Sequence, residues 1–247
     1  MNEPFEIERR GATAGINPMF GEWQQTFDLE PVSYANSGNA RATFKAMVRE
    51  QLTNKYVFIG EISLRVMLYL DEQKMLETPS YGDIDNHAKQ LLDTIKGHGG
   101  LLIDDCQVQH LDISWIDVPY GTRFEMAIKA EPDDFMPLPL RLYDMPDGLY
   151  YPLSEQAWTT EGLQAISVKQ ALTLAHALAD MTRRKRTLRH DLRQAGLPQF
   201  RAFQHGKYVS PILMGFHRTR VEQSGFELVP LKTWARHDPK IAEQVDK

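Results

Sequence analysis

The chain reads as an α/β protein on three observations. From Glu61 to Leu70 the residues alternate, with Ile62, Leu64, Val66, Leu68 and Leu70 on one side, the pattern of a half-buried strand. From Asn86 to Lys96, Ala88, Leu91, Leu92 and Ile95 fall at helical spacing, which gives one apolar face. Two later stretches alternate again, through Leu111, Ile113 and Trp115 and through Phe124, Met126, Ile128 and Ala130.

Taken in order, the elements alternate in type. Phe44, Met47, Val48 and Leu52 share a face of a helix over Arg41–Leu52. The Glu61–Leu70 strand follows. The next helix has Asp85 or Asn86 as its N-cap and Gly97 as its stop. After Gly97, Gly99 and Gly100, Leu101, Leu102 and Ile103 form a short buried-strand candidate. The two alternating strands then close the segment. Pro132, Pro137, Pro139 and Pro146 lie among Glu131, Asp133 and Asp134, a composition that marks a boundary. Beyond it, Val168, Ala171, Leu172, Ala175, Leu178 and Ala179 trace a helical face that can run on to Leu188 and Leu192, ending before Gly196 and Pro198. The expected organisation is a domain over 1–131, a proline-rich linker over 132–150, and a mainly helical, basic extension over 151–247.

The chemistry is concentrated in two acidic pairs. Asp83 and Asp85 stand two apart where the second helix begins, and Asp104 and Asp105 arrive at the end of the short apolar run. A helix start and a strand end can bring the acids together, and carboxylates so gathered repel unless a cation sits among them. Mg2+ suits such a site, because it takes oxygen ligands and is usually held by one or two carboxylates plus substrate phosphates. Lys89, four residues after Asp85, shares its helix face. Each feature alone has a plainer role. Asp83 and Asp85 can cap a helix, Lys89 can pair across a turn with Asp85 or Asp93, and Asp104–Asp105 can close a hairpin. Asn86 reads as structural, holding the acidic loop through its side-chain amide.

In series, these residues resemble the RusA-type Holliday junction resolvases. The resemblance rests on Asp83-Ile84-Asp85-Asn86, Lys89, Leu91-Leu92-Asp93, and the approach Leu101-Leu102-Ile103 to Asp104-Asp105-Cys106-Gln107-Val108. It covers about residues 30–131. It implies a nuclease core built on a mixed sheet with packed helices. It also implies a homodimeric, Mg2+-dependent endonuclease that resolves four-way DNA junctions by paired symmetric nicks. Carried over, Asp83, Asp85 and Asp105 are the catalytic carboxylates and metal ligands, with Asp104 a further metal ligand, and Lys89 is the catalytic lysine. Other branched DNA, such as flaps and forks, is the alternative substrate. A junction-binding protein that does not cut is the alternative of another class.

The remaining signals set limits. His87, His98 and His110 fit no zinc spacing and read as surface histidines. Cys106 is the only cysteine, so no internal disulfide forms. No glycine-rich phosphate loop and no Gly-x-Ser-x-Gly elbow is present, which argues against a nucleotide cofactor and a serine nucleophile. The amino terminus lacks a basic-then-apolar signal and no apolar run is long enough to span a bilayer, so a soluble, cytoplasmic protein without a membrane partner is expected. The net charge of −5 is unevenly divided. Residues 1–130 carry 12 Lys and Arg against 19 acids, whereas 183–220 carry 10 against the single acid Asp191. Arg183, Arg184, Lys185, Arg186, Arg189 and Arg193 crowd the second half of the long helix, and Phe200, Phe203, Tyr208 and Phe216 follow. Clustered cations suit phosphate binding, and interleaved aromatics suit stacking on unpaired bases. These six basic residues are therefore the expected DNA-binding set.

Overall fold

The alternating segments pair into one four-stranded sheet. Its members are β1 (Glu22–Phe27), β3 (Ile62–Leu70), β4 (Val108–Asp117) and β5 (Arg123–Lys129), in the order β1-β5-β3-β4. β5 is antiparallel to both β1 and β3, and β4 is parallel to β3, so the sheet is mixed. The register sets Leu64 beside both Leu111 and Ile128, and Val66 beside Ile113 and Met126. The apolar side of each strand therefore faces one way. The structure is a computed structural model that describes residues 21–52, 56–78, 81–132, 134–209 and 215–234. The amino-terminal segment read for its lack of a signal lies outside the described residues, as does the side chain of Tyr208.

Two helices cover that apolar side. α1 (Gly38–Gln51) starts at Ser37, whose hydroxyl accepts from the Ala40 N–H, and buries Phe44 and Val48. Phe44 meets Phe124 of β5 at 5.7 Å between ring centres, and Phe124 stacks on Phe27 of β1 at 4.7 Å. α3 (Ile84–Ile95) buries Leu91 and Ile95 and follows the short α2 (Glu72–Glu77). It lies beside α1 and over the β3–β4 side. Arg49 of α1 donates to the carbonyls of Thr94 and His98 at 3.0 and 2.8 Å, and Lys45 donates to that of Asp93 at 2.8 Å. Cations on the last carbonyls of α3 satisfy groups that the helix itself cannot.

Three expectations change here. The cap of α3 is Asp83, not Asp85 or Asn86, and Asp85 lies inside the first turn. Leu101–Ile103 is not a strand but a passage bridged through Leu102 to Phe58 and Lys96, beside the short β2 (Tyr56–Phe58). Asp104 and Asp105 do not close a hairpin, because a 3-10 turn over Asp105–Gln107 leads from them into β4.

The chain divides into Met1–Phe135 and Met136–Lys247. A short strand β6 (Phe135–Pro137) lies at that division. The second unit holds strands as well as helices. The stretch expected to be a linker carries β7 (Leu140–Asp144) and the start of β8 (Leu149–Ser154), an antiparallel hairpin whose turn contains Gly148 at φ +76°. β9 (Gln156–Thr159) and β10 (Gly162–Ala165) form a second hairpin. α4 (Val168–Gln194) is capped by Ser167, and its Ala171, Leu172, Ala175 and Ala179 pack on Tyr143, Tyr151 and Leu153. α5 (Gln199–Val209) lies against α4, where a Cβ on Gly206 would collide with the Arg189 side chain. β11 (Phe216–His217) and β12 (Glu227–Val229) flank the hairpin in the order β11-β8-β7-β12, and the short α6 (Arg218–Val221) and α7 (Leu231–Trp234) complete the unit.

Candidate active site at the start of α3

The first turn of α3 is held from outside by the loop before α1. The Tyr34 N–H donates to the Asn86 carbonyl at 3.0 Å, and the Asn36 side-chain oxygen accepts from the Ser33 N–H and hydroxyl, each at 2.9 Å. Gly82 adopts φ +78° with Ser33 packed so closely that a Cβ would strike its side chain. Only glycine takes that backbone at low cost. The chain thus reaches Asp83 already aimed, and Asn86 turns back to donate its side-chain amide to the Asp83 carboxylate. That bond is the structural role expected of Asn86.

Asp83 and Asp85 meet at this point, both exposed to solvent. Their carboxyl groups stand close enough to act on each other. The contact with Asp85, with help from Asn86, holds Asp83 below the ordinary carboxylate range, while the same contact pushes Asp85 up. Such a pair is a set of hard oxygen donors whose mutual repulsion a cation relieves.

One turn further, Lys89 projects from the same end of the helix. Its ammonium lies 3.8 Å from the centre of the Tyr34 ring, and the guanidinium carbon of Arg41 lies 4.2 Å from the same ring. Tyr34 is therefore a shared aromatic rest for two cations beside the acidic pair, an arrangement favourable by about 0.5–2 kcal/mol per contact. Neither Tyr34 nor Arg41 stands out in the sequence. Its only trace of them is a tyrosine and an arginine seven apart near a helix start, a pattern too common to single out. His87 is fully buried against Tyr81 rather than on the surface, and burial pushes its pKa below 6.5 despite weaker upward pulls from the Val32 backbone and Asp83.

The second acidic pair sits elsewhere. Asp104 is 5% exposed, and its carboxylate accepts from the Cys106 N–H at 3.1 Å. Beside it Gln107 is fully buried and uses both ends of its side chain. Its oxygen accepts from the Ile103 and Asp104 N–H groups at 2.7 and 3.1 Å, and its nitrogen donates to the Phe58 and Gly60 carbonyls, each at 2.9 Å. Asp105 pairs with Lys96 at 2.8 Å, and Lys96 also pairs with Asp93 at 2.7 Å. Burial works against the Lys96 ammonium, but the bonds to Asp105 and Asp93 prevail and hold its pKa above the usual lysine range. Lys96 is the C-cap of α3. A helix of 12 residues is about 18 Å long, so the two pairs stand at opposite ends of it. The expected convergence of all four acids does not occur within one chain. Among the described residues no three His, Cys, Asp or Glu side chains gather as a metal site.

The expected DNA-contacting set divides by exposure. Arg183, Arg184, Arg186 and Arg193 face outward from α4, with Arg183 paired to Asp180 at 3.0 Å. Lys185 is buried, and Arg189 lies half-buried 4.3 Å over the Phe203 ring. Phe200, one residue into α5, is 69% exposed.

The family described as endodeoxyribonuclease RusA matches residues 14–129. This stretch, which includes Asp83, Asp85, Lys89, Asp104 and Asp105, is similar to a family of nucleases, and the second unit lies beyond the match. No curated protein matches the chain. Among the described residues no helix is long and apolar enough to cross a membrane.

Proposed function

We propose that the chain is a metal-dependent endodeoxyribonuclease that resolves four-way DNA junctions, with its reaction centred on Asp83, Asp85 and Lys89. One observation carries this reading: two exposed carboxyl groups stand against each other at a helix start with a lysine one turn on, inside the stretch similar to the RusA nucleases. The donor set fits Mg2+, since both candidate ligands are carboxylates and neither is buried. Bound there, Mg2+ supplies charge neutralisation at the phosphate and a water acidified toward neutral pH.

The side chains do the rest. Asp83 and Asp85 would hold the metal through their carboxylate oxygens. Lys89, its ammonium over the Tyr34 ring, presents a charge that offsets the charge developing on the phosphate in the transition state. Resolution needs two nicks in symmetric strands, which two copies of the site in a homodimer provide.

Labelled four-way junctions incubated with Mg2+ or EDTA, with the wild-type chain and Asp85→Asn, test the proposal. Paired nicks that require Mg2+ and fall at least roughly 100-fold in the variant are expected. Cutting of flaps or forks in preference to junctions would change the substrate, and tight junction binding without cutting by the wild type would overturn the enzymatic reading.

A further inference from the structure

We infer that the second unit carries a binding site for unpaired DNA at the end of the α4–α5 hairpin, where a base stacks on Phe200 and its phosphate meets Arg193. The choice of DNA as the ligand rests on the nuclease reading, to which the site adds a hold on strands that leave a duplex.

The hairpin is closed tightly. Gly196 at φ +86° turns the chain, the Leu197 N–H returns to the Leu192 carbonyl at 2.9 Å, and α5 comes back along α4 after the connection 195–198. Ala202 and Gly206 are buried, with Gly206 against Arg189 of α4. They lie one helical turn apart, so Phe200 and Gln204 are turned to the opposite side of α5. Phe200 is 69% exposed. Of the other aromatics that follow the basic run, Phe216 is 1% exposed and Phe203 lies under Arg189. Among the described side chains of that set, Phe200 is the ring left open.

Across the seam from this ring stand cations. The guanidinium carbon of Arg189 lies 4.3 Å from the centre of the Phe203 ring. The flank of α4 bearing Arg189 and the flank of α5 bearing Phe203 are therefore one side of the pair. Arg193 follows Arg189 by four residues and Phe200 precedes Phe203 by three, each a turn closer to the connection on that same side. Arg193 thus comes level with Phe200. Arg186, a turn the other way along α4, extends the row, and both arginines are exposed. Arg189 takes the face of Phe203, whereas Phe200 is open to solvent. A flat π-face attached to an anion fits this arrangement, and a nucleotide is such a group. Phenylalanine has no donor or acceptor with which to read a base edge, so it takes the face. In a duplex, neighbouring bases cover both faces, so the base must be unpaired. An aromatic platform beside backbone-neutralising cations is the chemistry that holds single strands.

Fluorescence anisotropy of a labelled oligothymidylate of about 15 nucleotides, titrated with the full chain in EDTA, tests the site. Phe200→Ala should weaken binding by roughly 5- to 100-fold and leave the slope of log affinity against log salt unchanged. Phe200→Trp should keep the affinity, which separates stacking from a folding defect. Arg193→Gln should instead lower the slope by about 0.7, the share of one phosphate on a single strand. On a blunt duplex of equal length, Phe200→Ala should have no effect. If Phe200→Ala binds oligothymidylate as tightly as the wild type, or weakens duplex binding to the same extent, the inference is overturned and the ring serves something other than an unpaired base. Cleavage plays no part in this readout. Oligothymidylate binding that depends on Phe200, in a chain that cuts no junction, keeps the site and defeats the nuclease reading. Junction cutting with oligothymidylate binding indifferent to Phe200 defeats the site alone.

Discussion

At the level of single residues, the site shows how little of a side chain's role lies in its identity. Asp83 and Asp85 are legible as a pair because two acids flank one residue at a helix start. Their opposite shifts in proton affinity are not, because they come from the contact between the two carboxyls, with Asn86 reaching back to Asp83. Tyr34 is invisible in the sequence, since the cations resting on it come from two different helices. His87 reads there as a surface histidine, yet it is fully buried. Its charge state bears on stability. Burial lowers its pKa in the folded chain below the unfolded value of 6.5, so the unfolded chain binds the extra proton first as pH falls. The stability tied to neutral His87 is present above 6.5 and is lost as pH drops from there toward the folded value. Urea midpoints compared at about pH 7.5 and about pH 5.5 should therefore fall on acidification. In His87→Gln the fall should be smaller, and an equal fall in both proteins would assign the effect to other groups.

At the level of elements, the amphipathic patterns of α1, β3, α3, β4 and β5 are strong enough to read, because each lays one apolar side on a common core. β1 escapes such a reading. Its Trp23 and Phe27 are buried, but Gln25 interrupts the alternation between them. The hairpin of β7 and β8 escapes it for a different reason. Prolines at its margins give the stretch the composition of a linker, although Leu140, Leu142, Tyr151 and Leu153 are buried. The meeting of the acids fails as an expectation because spacing says nothing about the direction in which a helix crosses a sheet. What keeps Asp104 and Asp105 in place is Gln107, whose role the motif alone does not reveal. Its four hydrogen bonds tie the acidic turn to the end of β2. Replacing it by leucine leaves two N–H groups and two carbonyls buried without partners, at about 1–3 kcal/mol each before relaxation. Gln107→Leu should thus lose roughly 3–5 kcal/mol in chemical denaturation. A loss under about 1 kcal/mol would mean that the turn holds without it.

At the level of the whole molecule, the chain joins an acidic unit to one whose long helix carries the positive charge. The first unit owes its acidity partly to the proposed metal site, and acidity repels the substrate that such a site must approach. Phosphate binding depends on where cations stand, not on the net charge, because each neutralised phosphate releases counterions. Arg183, Arg184, Arg186 and Arg193 stand outward on α4, a local concentration of cations in a chain of net negative charge. The composition makes this segment conspicuous, but only the packing separates these four from Lys185 and Arg189, which the helix turns inward. If the outward arginines touch DNA, changing Arg183, Arg184 and Arg186 to glutamine should weaken junction binding at low salt. It should also reduce the slope of log affinity against log salt by up to about 3, since each phosphate no longer neutralised accounts for about 0.9. Cleavage at saturating enzyme should change far less, because Asp83, Asp85 and Lys89 are untouched. Changing Lys185 should leave the salt slope as it is and instead lower stability, since its side chain is packed. A triple variant with unaltered affinity and slope would make the arginines a solvated helix face and return the burden of DNA binding to the unit that carries the acids.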